Sequence, residues 1–181
     1  MKLLVFAGSL RADSCNKKHA REALRLAVEL GVEGEFIDLK DYPMPVYDGD
    51  IEAASGLPAA TLALGQKILA ADALVISTPE YNGSIPGILK NVIDWLSREI
   101  VVSLAGKPLL LLAASPGALG GIRSLWHTRQ PFEVLGVHVY PGMSGLPNAY
   151  TAFDAQGRLQ DEKTAQRLKA TLDGFIKHAS R

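Results

Sequence analysis

Three short stretches of this chain carry groups that can do chemistry. Ser9, Arg11, Ser14 and Asn16 follow directly on the apolar run Lys2-Leu-Leu-Val-Phe-Ala7 and a glycine, Gly8. Two hydroxyls, a guanidinium fork and the start of a helix suit an oxyanion, above all a phosphate. The competing role is a polar connection whose serines merely cap the helix. Gly-Lys-Ser/Thr of a nucleotide P-loop and the G-x-G-x-x-G dinucleotide fingerprint are both missing. The second stretch, Pro79-Glu80-Tyr81-Asn82-Gly83, follows Ala73-Leu-Val-Ile-Ser77. Tyr81 offers a flat face, Asn82 a donor and an acceptor, and Gly83 close backbone approach, which together suit a planar heterocycle. Glu80 is a possible acid, but a loop carboxylate paired with a neighbour is the favoured role. The third stretch, Ser115-Pro-Gly-Ala-Leu-Gly-Gly121, either presents amides of Gly117 and Gly120 to the same ring or is a flexible turn.

The elements around these stretches explain how they meet. Apolar runs at 1–7, 73–77 and 107–114 read as strands buried on both faces, and shorter strands are expected at 35–39 and 137–140. Helical periodicity occupies about 16–30, 59–71, 85–97, 122–135 and 161–179. The first helix would turn Ala20, Ala23, Leu24, Ala27, Val28 and Leu30 inward. The third would start under a Ser84 cap, and the last would bury Ala165, Leu168, Leu172, Phe175, Ile176 and Ala179. Residues 40–58, with three prolines, are expected to form a long irregular loop. Strands alternating with helices imply an α/β fold: a parallel sheet with helices on both faces, a three-layer sandwich. Five strands suit the flavodoxin-like order 2-1-3-4-5, in a single domain spanning residues 1–181. Strands 1 and 3 then flank the switch point, and all three stretches converge on one crevice.

Composition narrows the function. Lys and Arg together number 19, as do Asp and Glu, so the net charge is zero and gives no electrostatic case for nucleic acid or an anionic membrane. No apolar run reaches the ~18–20 residues of a membrane span, and no signal peptide is visible, so a cytoplasmic protein is expected. One cysteine rules out an internal disulfide and a multi-cysteine metal site. His19, His127, His138 and His178 show no ligand spacing and are expected at the surface or at helix ends.

Gly8-Ser-Leu-Arg-x-x-Ser-x-Asn16, together with Pro79-Glu-Tyr-Asn-Gly-Ser-Ile-Pro-Gly-x-Leu-Lys-Asn-x-Ile-Asp-Trp95, resembles the NADPH-dependent FMN reductase family, which includes quinone- and chromate-reducing flavoproteins. The resemblance implies an FMN phosphate on Ser9, Arg11, Ser14 and Asn16. It sets the ring against Pro79, Glu80, Tyr81, Asn82 and Gly83, with Ser115, Gly117 and Gly120 nearby. It also implies NADPH or NADH as donor, small-molecule acceptors such as quinones or metal oxyanions, and a homodimer or homotetramer. No catalytic side chain and no metal are required, because the flavin carries the chemistry. Arg98 is a candidate for drawing the nicotinamide phosphates or an anionic acceptor to the pocket mouth. Aliphatic residues from Ile85 to Leu104, with Trp95 and Ile100-Val101-Val102, are a candidate self-association surface. Two alternatives stand beside this reading: a flavodoxin-like electron carrier, and a Cys-dependent phosphatase built on the C-x5-R spacing of Cys15 and Arg21.

Overall fold

A computed structural model describes residues 1–99 and 102–181. In chain order the elements are β1 (Lys2–Ala7), α1 (Cys15–Glu29), β2 (Glu33–Phe36), α2 (Gly49–Ser55), α3 (Ala59–Leu69) and β3 (Ala73–Thr78). They continue with α4 (Gly87–Leu96), β4 (Pro108–Ala114), α5 (Ile122–Val134), β5 (His138–Val139), β6 (Ser144–Leu146) and α6 (Glu162–Ala179). The sheet is parallel in the order β2-β1-β3-β4-β5, which is the expected flavodoxin-like order. The fifth position differs in detail. It is shared by two short strands, β5 on Pro108–Leu109 and β6 on Leu112–Ala114. Tyr140-Pro141-Gly142 interrupts the run between them, since proline cannot donate to a ladder.

Each central strand feeds two cores because successive side chains point to opposite faces. In β4, Leu109, Leu111 and Ala113 face the layer of α3, α4 and α5. Leu110 and Leu112 face α1 and α6. All five are fully buried. Burying each leucine contributes roughly 1.5–3 kcal/mol, so the unbroken leucine run is what two-sided coverage demands.

Several local expectations change. β2 starts and ends earlier than residues 35–39, because Asp38 turns to cap a 3-10 turn at Leu39–Asp41, accepting from Lys40 N–H at 3.0 Å. That local bond competes with continuation of the ladder. The stretch 40–58 is not wholly irregular: Asp48 accepts from Asp50 N–H at 2.8 Å and caps α2. In α1, Val28 is exposed and Leu26 takes its place in the core. Ser84 does not cap α4. The chain enters that helix at Pro86, while Ser84 closes a tight turn with Tyr81. Ala165, Ile176 and Ala179 of α6 are only partly covered.

The proposed self-association surface is largely core. Trp95 is fully buried, with its indole N–H donating to Pro45 carbonyl at 2.8 Å, and Leu89, Val92, Ile93, Leu96 and Leu104 are buried with it. Ile85 and Val102 pack against the same core, and Ile100 and Val101 lie outside the described residues. No helix among the described residues is long and apolar enough to cross a membrane.

Candidate functional site

The carboxyl ends of β1, β3 and β4 bring the three stretches to one narrow cleft of about 60 Å³. Ser9, Arg11, Ser14 and Asn16 line it from the first loop, Pro79, Glu80 and Tyr81 from the second, and Ser115 from the third. Asn82, Gly83, Gly117 and Gly120 do not line it. A larger recess of about 570 Å³ lies at the opposite end of the sheet, beside Met1, Asp72, Lys107 and Ser180, where no expected site residue falls.

The start of α1 is built for an anion. Its N-cap residue, Ser14, makes no side-chain cap bond, and the first turn holds no acid. The earliest N–H groups of a helix have no intrahelical acceptor, so those of the first turn stay available to a ligand. Ser9 and Ser14 are both buried, and Ser9 Oγ accepts only a long bond from Arg11 N–H, at 3.4 Å. The Arg11 guanidinium is exposed and touches Asp13 carbonyl at 3.3 Å.

Asn16 behaves differently from its neighbours. Its Nδ2 donates to Ala114 carbonyl at 2.9 Å, and its Oδ1 accepts from Ala114 N–H at 2.8 Å. Ser77 Oγ donates to the same Oδ1 at 2.8 Å. The carboxamide thus acts as a further ladder rung between α1, β3 and β4. The carboxamide is therefore a clamp first, and what it leaves for an anion in the cleft it lines is its second Nδ2–H and its backbone N–H.

The Pro79–Gly83 loop is set by two devices. Tyr81 and Ser84 exchange both backbone bonds across Asn82-Gly83, whose φ values are +51° and +75°. Positive φ at both central positions makes a type I′-like turn, which Asn-Gly favours, so these two residues serve turn geometry. Glu80 caps α5 from outside that helix. Its carboxylate accepts from Arg123 and Ser124 N–H at 3.1 and 3.3 Å and pairs with the Arg123 guanidinium. The helix's own N-cap, Gly121, has no side chain to offer.

Burial alone would raise the Glu80 carboxyl, but the Arg123 side chain and the helix N–H groups outweigh it and hold it below the usual range. The stabilisation is therefore fully present above an ordinary Glu value of about 4.3 and is lost as pH falls through the lower folded-state value. Glu80→Gln should cost about 1 kcal/mol at neutral pH and flatten the acid limb of stability below about pH 4.3. Urea unfolding across pH checks it, and superimposable acid limbs in both proteins would reject the cap.

Gly120 and Gly121 are packing glycines. A Cβ on Gly120 would stand 2.9 Å from the Gly145 backbone, and one on Gly121 would stand 2.8 Å from Ala113 Cβ. They let the loop after β4 cross β6. Gly117 is exposed, with its N–H on Ser115 Oγ at 3.3 Å.

Arg98 lies beyond the far end of α4, a ten-residue helix whose start adjoins the Tyr81 turn. At 1.5 Å per residue that is about 15 Å away. There it pairs with Glu52 at 3.0 Å, and Tyr47 O–H joins the same carboxylate at 2.9 Å. It ties α2 to α4 and is not placed at the mouth. The phosphatase spacing fails as well, because Arg21 leaves Cys15 and lays its guanidinium 4.0 Å over the Phe36 ring. His19, expected at the surface, is buried. The other three histidines are exposed, and no group of His, Cys, Asp or Glu among the described residues could hold a metal.

Tyr150, Ala114, Pro116 and Cys15 also line the cleft. Tyr150 arrives because the β6 ladder continues past its strand: Ser115 N–H donates to Leu146 carbonyl and Ala149 N–H to Ser115 carbonyl. No local pattern marks it in the sequence. Arg123 was also missed, although an opposite charge just inside the next helix is a signal for Glu80.

The chain is similar to known proteins along almost its whole length. An NAD(P)H-dependent FMN reductase of Pseudomonas aeruginosa is 41% identical over 177 residues, covering 97% of this chain and 93% of the relative. A quinone reductase of Escherichia coli is 37% identical over 180 residues, with the same coverage of 97% and 93%. Among solved structures, the flavoenzyme FerB, an NAD(P)H:(acceptor) oxidoreductase from Paracoccus denitrificans, superposes with a TM-score of 0.86 at 32% identity, covering 99% of this chain and 97% of that one. With the NADPH-dependent FMN reductase profile matching residues 1–151, from β1 through Tyr150, the chain belongs to that family.

Proposed function

We propose that the cleft holds the phosphate of FMN and that the protein is an NAD(P)H-dependent oxidoreductase serving quinones or similar small acceptors, metal oxyanions among them. The observation that carries this is the uncapped, acid-free start of α1, converging with Ser9, Ser14 and Arg11 at the β1/β3 switch point. The donor set fits the group: backbone N–H groups, two buried hydroxyls and one guanidinium are what a phosphate dianion takes. A volume of about 60 Å³ suits that compact end alone. The planar part would then lie outside it, with Pro79 and Tyr81 of the cleft wall as the residues that would support it. FMN, when bound, supplies the redox chemistry, taking two electrons from a reduced nicotinamide and returning them to an acceptor.

The chain's own part is binding and orientation. Glu80 is withdrawn from acid–base work by Arg123 and α5, so its service is to fix the Pro79–Tyr81 segment. Asn16 holds the cradle at its depth against β4. Half-exposed Tyr81 and exposed Tyr150 leave the site open to acceptors of varied shape. The experiment is a flavin spectrum after FMN titration, with steady-state kinetics on NAD(P)H and a quinone. Donor and acceptor sharing one open face should give parallel reciprocal plots. Failure to bind FMN, or to oxidise NAD(P)H in its presence, would overturn the proposal.

The same proposal treats residues 1–181 as one cytoplasmic FMN-binding unit that works as a homodimer or homotetramer. Support for assembly comes from α5, where Trp126 and Val134 are exposed about two turns apart. Trp126→Glu should then shift sedimentation toward monomer. An unchanged profile, or a monomeric wild type at micromolar concentration, would refute assembly through α5.

A further inference from the structure

A recess of about 410 Å³ lies outside the cleft, between α1, the loop after β4, the β6 segment and α6. His19 borders it and is 2% exposed. The protonation of that ring follows from its neighbours. Ala114 N–H and carbonyl fix which end of the Asn16 carboxamide is oxygen. Ser77 must give its one proton to that oxygen. Only lone pairs of Ser77 Oγ are then left for His19 Nδ1, 3.3 Å away. Nδ1 therefore carries the proton and Nε2 is an acceptor. Burial pushes the imidazole down to about 4, so the ring is neutral at physiological pH. With Nδ1 turned in to β3, the opposite edge of the ring meets the recess. No protein donor reaches Nε2 among the described residues, and the ring borders the recess rather than being sealed from it.

The remaining lining sets the ligand's other features. Leu119, Met143, Leu146, Pro147 and Leu168 give apolar walls. Arg167 and Thr164 of α6 stand at the rim, Arg167 Nη2 donating to Thr164 Oγ1 at 3.0 Å. Asp161, which borders an adjoining recess, is already engaged by Thr164 N–H and O–H. A buried neutral acceptor favours a hydroxyl donor, apolar walls favour a ring, and a rim guanidinium favours a carboxylate.

We propose that this recess is a second binding site, for a small hydroxylated aromatic acid whose hydroxyl donates to His19 Nε2 and whose carboxylate pairs with Arg167. The recess shares no lining residue with the flavin cleft, and the two meet only through Ser77, which bonds Asn16 on one side and His19 on the other.

The test titrates 4-hydroxybenzoate, 4-methoxybenzoate and phenol into the FMN-loaded protein, followed by calorimetry and long-range ¹H–¹⁵N NMR of the imidazole. The free protein should show the Nδ1–H form, and 4-hydroxybenzoate should bind saturably and move the Nε2 resonance. Masking the donor as 4-methoxybenzoate should weaken binding about tenfold. Arg167→Gln, a surface change, should weaken 4-hydroxybenzoate about tenfold and leave phenol unchanged. A protonated Nε2 in the free protein, equal affinity for the methoxy compound, or no saturable binding would each overturn the proposal. So would perturbations centred on Tyr81 and Tyr150, which would place the acid in the flavin cleft.

Discussion

Asn16→Ala is expected to destabilise the fold by about 3 kcal/mol, whereas Ser14→Ala should cost well under about 1 kcal/mol. The asymmetry follows from what each side chain holds. Removing the Asn16 carboxamide strips partners from Ala114 N–H, Ala114 carbonyl and Ser77 O–H at once, all in the buried interior. A buried polar group left unpaired costs roughly 1–3 kcal/mol, and water entering from the cleft recovers part of the sum. Ser14 makes no cap bond, so its loss leaves the folded protein nearly unchanged and is felt when an anion binds. Asn16→Asp should not rescue stability, since it sets a carboxylate oxygen against Ala114 carbonyl where an amide N–H donated before. Denaturant unfolding without and with FMN separates the two roles. Were Asn16→Ala as stable as the wild type and deficient only in FMN affinity, the carboxamide would be a ligand and the clamp would be wrong.

This clamp shows where sequence patterns carry information and where they stop. The strand order was legible because the central parallel strands must be apolar on both faces, and Leu109–Leu112 has no other use. The convergence of three loops then followed from topology alone. What a polar residue in those loops does was less legible, because residue type fixes its donors and acceptors but not their partners. Asn16 suits a phosphate and a backbone rung equally well, and only the position of Ala114, 98 residues later, shows that it makes the rung. Asn82-Gly83 suits a ring and a type I′ turn equally well, and only the Tyr81–Ser84 bonds show that it makes the turn. Glu80 could be placed as a paired carboxylate, but its partner lies 43 residues away. His19 was misplaced because one histidine among alanines and lysines gives no periodic signal, while its neighbours Asn16 and Ser77 become a network only in three dimensions.

Arg11→Ala is expected to lower FMN affinity about ten- to a hundredfold, while Cys15→Ser leaves it nearly unchanged. Charge-assisted hydrogen bonds are worth roughly 1.5–3 kcal/mol, which sets the range for losing a guanidinium from a phosphate site. In the structure that guanidinium is exposed at the edge of the cleft, held only by a 3.3 Å contact to Asp13 carbonyl. Swinging it onto an anion therefore breaks little, and deleting it should leave stability intact. Riboflavin supplies the internal control: lacking the phosphate, it should bind Arg11→Ala and the wild type alike. Cys15 opens α1 half-buried, packed beside Ala114 and Leu146, where a hydroxyl fills nearly the same space. A phosphatase would make the reverse demand, since loss of the thiolate nucleophile abolishes turnover. Arg21, the partner such an enzyme would need, is committed to Phe36. FMN and riboflavin titrations by fluorescence, with NAD(P)H oxidation assayed in each variant, read both arms. If Arg11→Ala weakens FMN and riboflavin equally, the first loop does not hold the phosphate and the cleft must be reassigned.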